Sequence, residues 1–343
     1  MTIPVSVNGA LEKLFANGAR SDPSAFPSRN KDYVSSYQSI KEHLANTYYQ
    51  VTGAALAKGG HRFTKHDITH VDDVIHTAGR IMGADKDGGK SPDISPYELF
   101  VLLLAILIHD AGNAYERQGH EIRAADILRN LGALSPLNDL ERRLVASIAS
   151  AHGGKTATGG RDTIEDRVLQ DVTEVDGHRV FGRRLAALVR LADEFSERSR
   201  RADEIAISTR KPPGAFLPNY FCQTINVRID ASSRSVSMDF NLNLSDLQGM
   251  HPNPENDNKD TLIVDYISKR LEKADLERRY CNRYLAGWCP LDVFRSTISI
   301  YENDVYVGDT SATLSDTGYP TSQRPAPFTG VDMQRKYCGA NHV

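Results

Sequence analysis

The stretch Leu99-Phe-Val-Leu-Leu-Leu-Ala-Ile-Leu-Ile-His-Asp-Ala-Gly-Asn113 decides the fold. Leu99 to Ile108 are apolar without interruption, and His109 and Asp110 then stand side by side. An unbroken apolar run of this length is a buried element. It is shorter than the about 20 residues that a membrane span needs. A buried helix ending in His109-Asp110 carries two polar groups to the edge of a core. Left without partners, each would cost about 1–3 kcal/mol or more. A divalent metal is one economical partner, because neutral imidazole and carboxylate are both good ligands. The plainer reading is a hydrogen-bonded core histidine and an aspartate that caps the next helix.

Working outward, length and composition set the frame. The chain has 343 residues, 40% hydrophobic and 25% charged, with a formal net charge of −3. That is ordinary globular composition, enough for one large domain or two smaller ones. The charge gives no global attraction to nucleic acid or anionic membrane. Met1-Thr-Ile-Pro-Val-Ser lacks the basic and apolar regions of a signal peptide. Cys222, Cys281, Cys289 and Cys338 show no Cys-x-x-Cys spacing, so neither a zinc knuckle nor a disulfide framework is expected. A reducing cytoplasm is the default compartment.

The expected organisation has four parts. Residues 1–30, rich in Gly, Pro, Ser and Asn, read as a loosely attached arm. Residues 31–202 read as a helical bundle. Its helices run from Tyr33 to about Ala57, closed by Gly59-Gly60, then through His70 to Met82, Leu99–Asp110, His120–Leu128, Leu140–Ala151 (capped by Asp139) and Arg184–Ser196. Gly83–Pro96 is a long polar loop, and 153–180 a loop with one short helix. At Phe221 the period changes to two. Phe221–Asp230 and Ser235–Leu244 alternate around Ala231-Ser-Ser-Arg, a β-hairpin. With a charged helix at Thr261–Leu285 and a strand or two in Val293–Val307, residues 203–307 form a smaller α+β extension. It covers one side of the bundle or mediates a homodimer. Residues 308–343 read as a poorly ordered tail. The fold class is therefore mainly α, a helical bundle with a C-terminal α+β extension.

One pattern recurs between residues 70 and 193. His70, His109, Asp110, His120, His152 and Asp193 each fall on, or at the end of, the apolar face of an expected helix. Solvated polar residues belong on the other face. Five helices thus point an imidazole or carboxylate at one core, the way helix bundles build metal sites. In the order His … His-Asp … Asp, the stretches Thr69-His-Val-Asp-Asp-Val, Leu107-Ile-His-Asp-Ala-Gly-Asn and Leu188-Val-Arg-Leu-Ala-Asp-Glu-Phe resemble the HD-domain metal-dependent phosphohydrolase superfamily. The resemblance implies metal ligation by His70, His109, Asp110 and Asp193. It also implies a second metal on His120 and His152, with Asp110 bridging. One or two divalent ions are expected, with Mn, Mg, Fe, Co and Zn all open. Asn113 stands where cyclic-dinucleotide phosphodiesterases of that superfamily carry Lys. Their Gly-Tyr-Pro signature is also missing from its place, since Gly318-Tyr-Pro320 lies in the tail.

Such a site lowers the pKa of a bound water and polarises a phosphoryl oxygen. The expected activity is hydrolysis of a nucleotide or related phosphate ester (mono-, tri- or cyclic phosphate). Outside the ligands, Arg117, Lys155 and Arg80 are candidates to hold phosphate, and His66, one turn before His70, to donate a proton to the leaving group. Taken residue by residue, each cation reads first as a solvated surface charge. Asp72 and Asp73 belong to the solvated face. Glu116 and Glu194 are candidates to orient histidines, and Arg190 to pair with a carboxylate or touch substrate. Two other classes fit the same residues, a non-catalytic nucleotide sensor and an HD oxygenase or hydratase. No basic stripe with interleaved aromatics points to nucleic acid.

Overall fold

The computed structural model describes residues 9–52, 64, 66–84, 93–135, 137–314 and 326–339. Predictions for residues 1–8, the Ala57–Gly60 helix end, most of the loop before Pro96 and Gly318-Tyr-Pro320 lie outside these. The backbone divides into two compact units. The first holds His66–Ser196 with the helices that precede it, and the second holds Glu197–Asn282 and the strands that follow.

The helices of the first unit are α1 (Ala10–Ser21), α2 (Tyr33–Leu44, continued by a π-turn at Ala45–Tyr49), α3 (Ile68–Ile81), α4 (Pro96–Ile108), α5 (Ala124–Asn130), α6 (Asp139–Ser150), α7 (Thr163–Arg167) and α8 (Gly182–Glu194). Helix α4 is the axis. Ser95 caps it by accepting from the Glu98 N–H, and Pro96 fills the first turn, where no N–H is needed. Every residue from Tyr97 to Ile108 is buried, and α1, α2, α3, α6 and α8 all pack on it. Its one carboxylate, Glu98, is satisfied by Ser95, the Phe181 N–H and Arg184. The segment Pro96–Ala114 is long and apolar enough to cross a membrane, but 94% of it is buried inside this fold. It is a core helix.

The first correction concerns the N-terminus. Residues 10–21 do not hang loose. Leu11 and Phe15, one turn apart, are buried, and Phe15 packs on Tyr37 and Phe100. Between them Glu12 is buried with Lys41 at 2.8 Å and the Tyr37 hydroxyl at 2.6 Å. Breaking such a pair costs about 3–5 kcal/mol. The second correction is in 153–180. Besides α7 it holds a hairpin, β1 (Val172–Val175) and β2 (His178–Phe181), turned by Asp176 and Gly177, both with positive φ. A smaller shift makes Asn138, not Asp139, the cap of α6.

The second unit carries α9 (Glu204–Thr209), α10 (Phe216–Thr224), strands β3 (Ile225–Asp230), β4 (Ser235–Asn243), β5 (Met250–Asn253) and β6 (Lys259–Leu262), helix α11 (Ile263–Leu285), β7 (Val293–Glu302), β8 (Val305–Leu314) and α12 (Gly330–Cys338). The predicted hairpin is β3–β4, with Ile225 opposite Phe240 and Asp230 opposite Ser235. Its first strand begins later than the alternation suggests, because Phe221–Thr224 close α10. The sheet order is β3-β4-β7-β8, with β4 and β7 parallel and the other pairs antiparallel. A parallel pair needs a long crossover, which β5, β6 and α11 supply. Beyond residue 308 the chain is not an unstructured tail as far as it is described. Strand β8 runs to Leu314, and α12 buries Met333. All four cysteines are free. The fold is mainly α with an α+β extension, as the sequence predicts.

If α1 is part of the core, Phe15→Ala should cost about 3–5 kcal/mol, as for other buried phenylalanines. Urea denaturation followed by circular dichroism measures this. A loss under about 1 kcal/mol would mark α1 as an accessory.

Candidate metal centre

Where α4 ends, His109 and Asp110 begin. Asp110 has left helical geometry (φ −104°, ψ −4°), and the chain turns through a short 3₁₀ segment, Ala111–Ala114. Gly112 makes the turn possible. A Cβ there would lie 2.1 Å from the His120 carbonyl oxygen, so only glycine lets the two loops approach and brings His120 over Asp110. His70 stands in the first turn of α3, which Asp67 caps through the Thr69 N–H. His152 follows the unwound end of α6, and Asp193 is in the last turn of α8.

These six residues meet in two groups. His70, His109 and Asp193 form one, and Asp110, His120 and His152 the other. Within each, the ligand atoms lie within 4.8 Å of one another. Asp110 joins the groups. Its Oδ2 lies 3.5 Å from His70 Nε2 and 3.6 Å from His109 Nε2. Its Oδ1 lies 3.1 Å from His120 Nε2 and 3.7 Å from His152 Nε2. Asp193 Oδ1 is 3.1 Å from His70 Nε2 and 3.7 Å from His109 Nε2. Donors sharing one ion at about 2.1 Å stand about 3–3.5 Å apart. Three of the six spacings (3.1, 3.1 and 3.5 Å) fall in that range, and three (3.6, 3.7 and 3.7 Å) lie just above it.

Hydrogen bonds set the tautomers. Nδ1 of His109, His120 and His152 lies 2.7, 2.8 and 2.7 Å from the carbonyl oxygens of Ile106, Arg117 and Ala149, each three residues earlier. A carbonyl only accepts, so each Nδ1 carries a proton, and Nε2 is the atom that presents a lone pair when the ring is neutral. His70 uses a different partner. Its Nδ1 is 3.4 Å from Ser196 Oγ, whose hydroxyl donates to the Asp193 carbonyl. Nε2 of His70 and of His109 are buried, and neither makes a hydrogen bond of acceptable geometry despite the nearby carboxylates. Nε2 of His120 and of His152 face each other at 3.2 Å. Two lone pairs at that distance repel unless a proton or a metal cation stands between them. The donor set therefore fits a divalent ion.

The electrostatics agree. Burial pushes the Asp110 carboxyl up, but His109, His120 and His70 outweigh it and hold Asp110 well below the usual carboxylate range. Asp193 behaves likewise, with the neighbouring His109 and His70 imidazoles overcoming burial. Burial lowers His109, yet Asp110 and Asp193 more than offset it and raise the group to about 9. His152 falls to about 3, through burial first and then the positive potential of His109 and His120. It is thus a neutral ligand throughout the physiological range. Solvent reaches the cluster past Asp193 and His120, whose side chains are 29% and 18% exposed.

The structure brings all six proposed ligands together. His66 lies beside them, its ring centroid 5.5 Å from that of His70 and its carbonyl held by Thr52. Arg117 and Lys155 flank His120 and His152 and are exposed. Their carbonyls accept from His120 and Arg167. Two expectations are corrected. Arg80 sits ten residues along α3 from His70, about 15 Å away at the helical rise. Asp73 is buried, whereas Asp72 keeps the outer face and pairs with Lys41. Arg190 is buried and donates to the Arg161 carbonyl and Thr163. Glu116 pairs with Arg123 in the loop. Sequence reasoning passed over Ser196, three residues after Asp193, and the Asn113 amide, which donates to Asp110 Oδ1 at 3.0 Å. It also missed Tyr49, whose hydroxyl donates to the Leu107 carbonyl beneath the doublet.

Chelation should lower the melting temperature of the wild-type chain, and added Mn²⁺ or Zn²⁺ should restore it. The stabilisation expected is about 2.7 kcal/mol at a hundredfold excess over Kd. Asp110→Ala, which removes the shared ligand, should melt at one temperature with or without chelator. Calorimetry reads both, and a metal response that survives in Asp110→Ala would exclude this centre.

The model of the HD-CE family matches residues 60–289, more than half of the chain and inclusive of all six candidate ligands. No curated protein and no solved structure matches the chain.

Proposed function

We propose that this chain, which belongs to the HD-CE family, is a metal-dependent phosphohydrolase that cleaves a phosphate ester of a nucleotide or related small molecule. The observation that carries the proposal is the division of one carboxylate between two histidine groups. Asp110 turns Oδ2 toward His70 and His109 and Oδ1 toward His120 and His152. A divalent ion held by such a set supplies positive charge against a phosphoryl oxygen and acidifies water at neutral pH.

The chain's own residues do the rest. Carbonyl-bound Nδ1 atoms keep three imidazoles in the one tautomer that presents Nε2. Asn113 fixes the rotation of the Asp110 carboxylate. The helices behind are closed to water, so a substrate enters from the side of Asp193 and His120. His66, beside His70 and half-buried, is the candidate proton donor to the leaving group. Arg117 and Lys155, on the loops that carry His120 and His152, are candidates to meet the outer phosphate or sugar. Free cysteines, two of them buried, support a reducing compartment.

The test is a screen of the metal-loaded protein against nucleoside mono- and triphosphates, cyclic mononucleotides and cyclic dinucleotides, with Mn, Mg, Co and Zn. Release of phosphate or nucleotide should fall by about 10³-fold or more in His109→Ala and Asp110→Ala, with circular dichroism unchanged. His66→Gln should lose about 10²–10⁴-fold while keeping its metal, as for a general acid. Nucleotide binding without turnover under every metal would make the site a sensor, and metal-dependent oxygen consumption would make it an oxygenase.

A further inference from the structure

Two buried charged residues next to the centre are not among its ligands. Glu121 follows His120 in the chain, and Arg167 ends α7. Their side chains are 11% and 12% exposed, with Glu121 Oε1 3.6 Å from Arg167 Nη2. Glu121 Oε2 also lies 3.5 Å from His120 Nδ1. The guanidinium of Arg167 is spread over three backbone carbonyls. Nη1 donates to Ser150 and, at 3.2 Å, to Gly153, and Nη2 to Lys155 at 3.2 Å. These carbonyls bracket His152. One guanidinium thus ties the loop that carries His152 to the carboxylate beside His120.

The two halves of the centre are built differently. His70, His109 and Asp193 stand in or against regular turns of α3, α4 and α8, three well-buried helices. His120 stands on a 3₁₀ turn after Gly119, in the left-handed region at φ +75°, and His152 on the loop after α6. That 3₁₀ turn leads straight into α5, but its own hydrogen bonding is weaker than an α-helix's, so the second half gains from support outside its own backbone. Gly154 is fitted to that support. Its φ is +75°, and a Cβ there would lie 2.1 Å from Glu121 Oε1.

We infer that Glu121 and Arg167 form a clasp that positions His120 and His152, so that the centre loads in two separable halves, only one of which depends on the clasp. The inference rests on the reading of the cluster as a metal centre. Glu121 and Arg167 are positioning residues, since neither reaches the ligand atoms of the first half.

The experiment is calorimetric titration of the chelator-stripped full chain with Zn²⁺ or Mn²⁺, with metal content after gel filtration measured by elemental mass spectrometry. The wild type should take up two equivalents. Arg167→Met should retain one with unchanged affinity and bind the other about 10–100-fold more weakly, the range for loss of a supporting partner. Because Arg167→Met leaves the Glu121 carboxylate buried, the double variant Glu121→Gln/Arg167→Met, which leaves no unpaired charge, is run beside it and should behave the same way. Ser196→Ala should weaken the opposite half, by loosening His70, and spare the clasped one. Two equivalents at wild-type affinity in both clasp variants would overturn the clasp while leaving the metal centre intact. Equal loss of both equivalents in the double variant would also overturn it. No metal uptake by the wild type would overturn the metal reading and the clasp together.

Discussion

A carboxylate at the buried end of an apolar helix is the constraint on which this molecule turns. Taking an ion of that size out of water costs several kcal/mol even after the protein relaxes. Asp110 meets that cost from a 3₁₀ turn at the end of α4, with His109, His120, His70 and Asn113 around it. A second carboxylate, Asp193, comes within reach of the same histidines. Two anions in one pocket are tolerable only with comparable positive charge. Protonated imidazoles can supply it in part, since the two carboxylates raise His109 against the effect of burial. Divalent cations supply it more fully, and the spacing of the donors suits them.

The apolar helix and the polar cluster therefore explain each other. Burial of Tyr97–Ile108 on every side gives α4 no freedom to shift, so the positions of His109 and Asp110 are fixed by packing. Of the helices packed on it, α3, α6 and α8 each bring one candidate ligand at or near an end. Helix ends also leave carbonyls without an intrahelical partner. The Nδ1–H of His109 satisfies that of Ile106, and the Nδ1–H of His152 that of Ala149. One hydrogen bond thus closes a helix terminus and sets a tautomer. A histidine just past the end of a helix is aimed by the helix itself.

This explains what the sequence made legible. The axis helix was readable because ten apolar residues have no other soluble home, and the six ligands because they interrupt or end apolar faces. Such signals are local in the chain. The β3–β4 hairpin was readable from its period of two. The β1–β2 hairpin carried a comparable cue in Val172-Thr-Glu-Val-Asp-Gly-His-Arg-Val-Phe181, with Asp-Gly at the turn, but its strands are short and set in a polar stretch. Helix α1 was hidden because Leu11 and Phe15 amount to one turn of periodicity, and its strongest anchor, Glu12 with Lys41, joins residues 29 apart. Arg167, Ser196 and the burial of Asp73 and Arg190 share that difficulty. Each depends on which segments come together, and no local pattern encodes that.

The same geometry bears on what the centre can accept. Helices α4, α6 and α8 end at Ile108, Ser150 and Glu194, so three C-termini meet the cluster against one N-terminus, that of α3, whose first turn carries His70. Each C-terminus presents roughly −0.5 of an elementary charge and the N-terminus roughly +0.5, so the sum stays negative. Added to Asp110 and Asp193, they make the pocket a strong trap for cations. Taken alone, it would repel a phosphate. A phosphate site resting on helix termini uses the opposite end, where N–H groups point outward. The exposed cations Arg117 and Lys155 are screened by solvent and too few to reverse the sign. An anionic substrate is therefore compatible with these helix directions only when the ions come first. For the phosphohydrolase proposed above, this argument puts metal before phosphate in the order of binding.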